Sequence, residues 1–181
     1  MKINEIFYTI QGEGYQTGRP AIFIRFADCN LNCPFCDTNF HTYNELTEEE
    51  IIKKVKNLQR DVMVVLTGGE PTLQVTPSLI DKLHTEGYYT AIETNGTNTI
   101  NYPVDWITCS PKENSAIKLQ QANEVKVVYT GQDVEKYRNI TAEHYLLQPC
   151  SLQNTLQVVD YILQHPWWRL SLQTHKMIKI K

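Results

Sequence analysis

At 181 residues the chain has room for one domain with a substantial core, but it falls short of the roughly 250 residues of a complete eight-unit barrel. Seventeen basic against 20 acidic residues leave a net charge of −3, too weak a field to favour nucleic acid or an anionic membrane, so a small-molecule partner is expected. No basic N-terminal stretch leads into an apolar one, and no apolar run approaches the roughly 18 residues of a membrane span, which reads as a cytoplasmic protein without a membrane partner.

In chain order, a segment punctuated by Gly12, Gly14 and Gly18 precedes the apolar run Ala21 to Phe26, which predicts a buried strand leading straight into a cysteine-rich loop. Thr47 and Glu50 form a capping-box pattern with Leu46 able to staple onto Ile51, and Ile51, Ile52, Val55 and Leu58 make the apolar stripe of a helix. Val62 to Leu66 is continuously apolar, as expected of a strand covered on both faces, and Thr76-Pro77 opens a second helix that Gly87 ends. Further strands are expected at Tyr89 to Glu93, Trp106 to Cys109, Val125 to Tyr129, Tyr145 to Leu147 and Arg169 to Leu172, with a helix from about Asn154 to Gln164 stopped by Pro166. No repeat, low-complexity segment or linker divides residues 1–181, so a single α/β domain is expected. Strand and helix alternate, which implies right-handed crossovers, a mostly parallel sheet and ligands at the strands' C-terminal ends.

The suspicious residues collect at those ends: Cys29 to Cys36 after the first core strand, Gly68-Gly69-Glu70-Pro71 after the second, Glu93-Thr94-Asn95-Gly96 after the third, Ser110-Pro111-Lys112 after the fourth and Gln148-Pro149 after a later one. Plain turn chemistry would not be expected to put a polar or glycine-rich cluster after so many successive strands.

Three of the five cysteines, Cys29, Cys33 and Cys36, share one short loop, whereas Cys109 and Cys150 stand alone; this suggests metal or redox chemistry rather than a disulfide framework. A structural zinc site closes with four ligands and an electron-carrying cluster has a cysteine on every iron, whereas three cysteines leave one iron of a cubane open. The alternatives are a zinc site completed by His41 and a ferredoxin-like carrier completed by Cys109 or Cys150.

The C-x3-C-x2-C spacing followed by Gly68-Gly69-Glu70-Pro71 resembles the radical S-adenosylmethionine (SAM) superfamily. Around it, Tyr8-Thr-Ile-Gln-Gly-Glu-Gly14, Pro20-Ala-Ile-Phe-Ile-Arg25, Cys36-Asp-Thr38, Glu93-Thr-Asn-Gly96, Ser110-Pro-Lys112 and Ser171-Leu-Gln-Thr-His-Lys176 resemble, in order and composition, the 7-carboxy-7-deazaguanine synthase family. The resemblance implies an incomplete β/α barrel of the radical SAM type. It also implies conversion of 6-carboxy-5,6,7,8-tetrahydropterin into 7-carboxy-7-deazaguanine with loss of ammonia, on the way to queuosine and other 7-deazapurines. Implied cofactors are a 4Fe-4S cluster, SAM and Mg²⁺; implied partners are a reducing protein such as flavodoxin or ferredoxin and a second copy of the chain. In such an enzyme a 5′-deoxyadenosyl radical takes hydrogen from C6 of the pterin, and the cofactor is regenerated. A glycyl-radical or anaerobic ribonucleotide reductase activase is the rival, sharing the cysteine spacing and glycine turn but not the flanking strings.

Carried over residue by residue, the resemblance gives the cluster to Cys29, Cys33 and Cys36 and magnesium to Thr38. It gives SAM to Phe35, Cys36, Asp37, Gly69, Ser110, Pro111, Lys112, Gln148, Pro149, Cys150 and Ser151. The pterin falls to Ile10, Gln11, Gly12, Arg25, Thr67, Glu93 and His175, the last approached from a final strand. Read on its own, Asp37 suits an Asx-type turn, His175 a satisfied core histidine, and Arg25 a guanidinium that needs either a substrate carboxylate or an internal Asp or Glu. The α-carboxylate of Lys181 is a further candidate for adjacent N–H donors of the pterin, with Met177, Ile178 and Ile180 anchoring the tail.

Overall fold

The computed structural model describes residues 1–34, 36 and 42–181. Among the described residues the strands form one nine-stranded sheet in the order β3-β1-β2-β4-β5-β6-β7-β8-β9. These are β1 (Lys2–Ile10), β2 (Pro20–Phe26), β3 (Asn44–Glu45), β4 (Met63–Gly68), β5 (Tyr89–Thr94), β6 (Trp106–Cys109), β7 (Glu124–Tyr129), β8 (His144–Pro149) and β9 (Arg169–Leu170). From β2 through β9 every neighbouring pair is parallel; β1 is antiparallel to both β2 and β3. The sheet is open and mostly parallel, as the alternation of elements predicts.

Helices α1 (Glu48–Leu58), α2 (Pro77–Thr85) and α3 (Thr155–Gln164) follow the sequence signals. Thr47 accepts from the Glu50 N–H at 3.2 Å while the Glu50 carboxylate accepts from the Thr47 N–H at 2.8 Å, completing the capping box. Thr76 caps α2 by accepting from the Leu79 N–H at 3.1 Å. Leu46 packs against the core cluster that contains Ile51, but Leu58 falls outside the stripe and is exposed at the helix's last residue.

One element goes beyond the sequence reading and one expectation is corrected. The N-terminal segment is a nine-residue strand, β1, whose charged and apolar residues do not alternate cleanly because its register slips between Ile3 and Glu5. The strand expected over Arg169 to Leu172 shrinks to two residues, and the chain then forms a short helix α4 (Thr174–Ile178), so His175 sits on a helix.

Side-chain alternation divides the sheet into two faces. Ile22, Ile24 and Phe26 of β2, Val64 and Leu66 of β4 and Ile92 of β5 pack under α1 and α2; Val125, Val127 and Leu147 pack with Val158 of α3 and buried Trp168. The opposite face begins apolar, with Ala21, Phe23, Met63, Val65, Ala91 and Trp106. Toward the strands' C-terminal ends the same positions become Arg25, Thr67, Glu93, Lys126 and Gln148, and this polar row borders a cavity of about 680 Å³.

Candidate functional site

Register sets the row. Arg25 is paired with Thr67 across β2 and β4, and the Thr67 hydroxyl donates to Glu93 Oε2 at 3.0 Å. Glu93 Oε1 accepts from the Gln11 amide at 3.0 Å and lies 3.4 Å from Lys126 Nζ. Lys126 is buried and makes its shorter ion pair, 2.7 Å, with Glu13. Burial by itself would raise the Glu13 carboxyl, but Lys126, with hydrogen bonds from Gln173 and Gln148, holds it at about 2. Burial likewise opposes the charge on Lys126, and the carboxylates of Glu13 and Glu93 overcome it and raise its pKa. The cavity wall therefore carries a fixed, fully paired ionic network.

Arg25 Nε donates to Glu5 Oε1 at 2.9 Å, so an internal carboxylate is one partner of this guanidinium, which also borders the cavity. Lys181 pairs with the same Glu5, lies 4.7 Å from the Phe7 ring centroid, and its main-chain oxygen accepts from the Thr9 hydroxyl at 3.0 Å. His175 packs against Gly12 so closely that a Cβ there would lie 2.2 Å from its Nδ1, and the Thr174 N–H donates to the Gly12 carbonyl at 2.9 Å. Ile10, Gln11, Gly12, Arg25, Thr67, Glu93, His175 and Lys181 all border the one cavity.

Cys29, Cys33 and Cys36 border it too, all as free thiols. Their loop is braced from β5: Asn30 donates to Thr97 Oγ1 at 2.8 Å and accepts from the Asn95 amide at 2.9 Å. Beneath that brace, buried Glu70 accepts from the Asn95 N–H and the Thr94 hydroxyl, both at 2.7 Å, and from the Thr72 N–H at 3.1 Å. The glutamate of the glycine-rich turn is thus a knot between two loops, not a cavity group. Burial pushes the Cys29 and Cys33 thiols up, with Lys112 acting in the opposite sense on Cys33. Among the described residues no three His, Cys, Asp or Glu side chains are gathered around a single-ion site.

Gly69, Ser110, Lys112, Gln148, Pro149, Cys150 and Ser151 complete the lining, while Pro111 is buried without reaching it. Lys112 donates to the Ser110 carbonyl at 2.6 Å and hydroxyl at 2.8 Å, and burial lowers its pKa. Ser151 and Leu152 take left-handed φ of 48° and 65°, and Asn154 ties this turn to β7 through Cys150 N–H and the Tyr129 carbonyl at 2.8 and 2.9 Å. Phe35, Asp37 and Thr38, and His41 of the zinc alternative, lie outside the described residues. Sequence reasoning missed Glu13, Lys126 and Gln173. Lys126 carries the same signal that singles out Arg25, a lone charge in an apolar strand.

The donor set suits the cofactors of a radical SAM enzyme: three thiols at one cavity mouth, and a glycine backbone beside them. Residues 23–133 match the Radical SAM superfamily. The chain is 54% identical to the 7-carboxy-7-deazaguanine synthase of Bacteroides thetaiotaomicron over 99% of this chain and 98% of that one. It is 39% identical to the enzyme of the same name from Bradyrhizobium diazoefficiens, over 99% and 98%. The crystal structure of QueE from Escherichia coli superposes with a TM-score of 0.81 at 32% identity, covering 96% of this chain and 94% of that one. The chain belongs to the radical SAM superfamily and, within it, to the 7-carboxy-7-deazaguanine synthases.

Proposed function

We propose that residues 1–181 act as one radical SAM domain that converts 6-carboxy-5,6,7,8-tetrahydropterin into 7-carboxy-7-deazaguanine and ammonia. The observation that carries this reading is the convergence of Cys29, Cys33 and Cys36, Gly69 and the Arg25–Thr67–Glu93 row on one cavity. In the proposal the three cysteines hold a 4Fe-4S cluster, whose iron offsets the charge that burial makes costly on the thiolates of Cys29 and Cys33. When bound, cluster and SAM supply one-electron cleavage of the sulfonium and hence a hydrogen-abstracting carbon radical.

The chain's own residues bind, orient and shield. Gly69 lets its backbone approach the methionine part of SAM, with Ser110, Lys112 and Gln148 to Ser151 along the rest of the cofactor and Pro111 holding its two neighbours from beneath. Arg25 offers a planar fork to the pterin carboxylate, with Glu5 steadying it from β1. Glu93, fixed by Gln11, Thr67 and Lys126, accepts from the amino-imino edge of the ring, and His175, Ile10 and Gly12 close the side near the tail. The Lys181 carboxylate is proposed as a second acceptor, and Thr38, beside Asp37 and Phe35, as the Mg²⁺ ligand. The enzyme works as a cytoplasmic homodimer reduced by a flavodoxin- or ferredoxin-type protein; among the described residues no helix is long and apolar enough to cross a membrane.

The test is an anaerobic assay of the reconstituted, reduced protein with SAM and 6-carboxytetrahydropterin, read by mass spectrometry. Formation of 7-carboxy-7-deazaguanine with loss of ammonia supports the proposal. SAM cleavage without pterin conversion sinks it.

A further inference from the structure

Gln173 lies between β9 and α4, is only 7% exposed, and borders the cavity beside Glu13 and His175. Its Nε2 donates to Glu13 Oε1 at 2.7 Å. Glu13 is held as a carboxylate by Lys126, 2.7 Å away, and a carboxylate can only accept. The amide therefore has one possible orientation, nitrogen toward Glu13 and oxygen away from it. That oxygen is buried and has no hydrogen-bond partner among the described residues. Two donors on the same cavity wall are committed elsewhere, since Gln11 donates to Glu93 and Lys126 is paired with Glu13 and Glu93. Buried amide oxygens are nearly always satisfied, and an orphaned one on a residue that lines the cavity marks an acceptor whose donor is missing.

We propose that Gln173 Oε1 accepts a hydrogen bond from an N–H group of the substrate ring, making Gln173 a specificity residue whose orientation is set by the Glu13–Lys126 pair. The inference rests on the pterin reading of the site. A nitrogen heterocycle with several N–H groups satisfies the oxygen, whereas an oxygen- or carbon-substituted ring leaves it unpaired, and that loss discriminates between them.

The test uses the cluster-loaded, SAM-bound enzyme under anaerobic conditions, comparing native protein with Gln173→Met and Gln173→Asn. Dissociation constants are measured for 6-carboxytetrahydropterin and for analogues in which the exocyclic amine, N3, N5 and N8 are each deprived of N–H in turn. Native protein is expected to bind the analogue lacking the N–H that faces Gln173 about tenfold more weakly than the parent pterin, beside any analogue that loses a donor to Glu93 or the Lys181 carboxylate. Gln173→Met should bind the parent about tenfold more weakly and lose discrimination against that one analogue, with iron content and SAM affinity unchanged. A variant that only loosened Glu13 would weaken every ligand by the same factor. If native protein converts the pterin but both variants keep native affinity ratios across the panel, this inference fails alone. If native protein neither binds nor converts the pterin, the proposed function fails and takes the inference with it.

Discussion

A Cβ on Gly69 would lie 1.9 Å from the carbonyl oxygen of Asp28, the residue that leads into Cys29. The two segments are zipped together there, with Gly69 N–H donating to Phe26 and Glu70 N–H to Asp28, both at 2.9 Å. Gly69→Ala must part them. It should cost about 1–3 kcal/mol of stability by overpacking, and lower iron content and SAM affinity together. Urea unfolding, iron analysis and calorimetric SAM titration check this; native values in all three would remove the close approach from the site's construction.

Cys29→Ala, Cys33→Ala and Cys36→Ala should each abolish the visible absorbance of the reconstituted cluster and all activity, whereas Cys109→Ala and Cys150→Ala retain iron. Cys109 is buried, and burial pushes its thiol up to about 12, which suits a core residue rather than a ligand. Equal loss of iron in all five, or full occupancy by zinc, contradicts the three-cysteine assignment.

Lys126→Met leaves the half-buried carboxylates of Glu13 and Glu93 facing an apolar side chain. Removing one member of a fully buried ion pair costs about 3–5 kcal/mol; with these carboxylates partly exposed the loss should be about 2 kcal/mol, and the double variant Lys126→Met/Glu13→Gln should recover part of it. Chemical denaturation of native protein, Lys126→Met, Glu13→Gln and the double variant measures the cycle; additive losses would mean that the pair is not coupled.

Arg25→Lys keeps the charge but not the two-pronged geometry. The apparent KM for the carboxylated pterin should rise by about tenfold or more, with little change for an analogue lacking the carboxylate. Unchanged KM values would assign Arg25 to its structural partner Glu5 alone.

Glu48 joins α1 to α2 by accepting from Thr76 and Ser78 at 2.6 Å and from Lys82 at 2.7 Å. These hydrogen bonds, Lys82 foremost, hold its carboxyl near 2, below the ordinary 4.5. Its contribution is therefore complete above pH 4.5 and disappears as pH falls toward 2. Glu48→Gln should cost about 1 kcal/mol at neutral pH, and the gap to native protein should close on acidification. A gap independent of pH in apo-protein denaturation would assign the loss to packing.

Much of the fold is legible because β2 and β4 are apolar in both directions and α1 and α2 carry their caps in sequence. The first strand is not, since Glu5 and Tyr8 interrupt its pattern and its pairing is fixed by β2 and β3. The end of the chain is misread for a related reason. Ser171 looks like a strand residue, yet its hydroxyl turns to Gln148 Oε1 at 3.0 Å and the strand stops. In the site, residues bound to motifs at strand ends stand out, as does Arg25 by its isolation. Glu13 and Gln173 do not, because each acquires its meaning from a partner more than a hundred residues away.

An open sheet must end twice, and each end is a template onto which another chain could stack. Here both borders, Asn44–Glu45 and Arg169–Leu170, are two residues long, and each carries a charged side chain. Among the described residues each covers only part of its neighbour, β3 pairing with Lys2 and Ile3 of the nine-residue β1 and β9 with Leu146 and Leu147 of β8, so Glu45 and Arg169 guard those stretches alone. The sheet stays unclosed, and the length of β1 beyond β3 is where the strand of another chain would first stack.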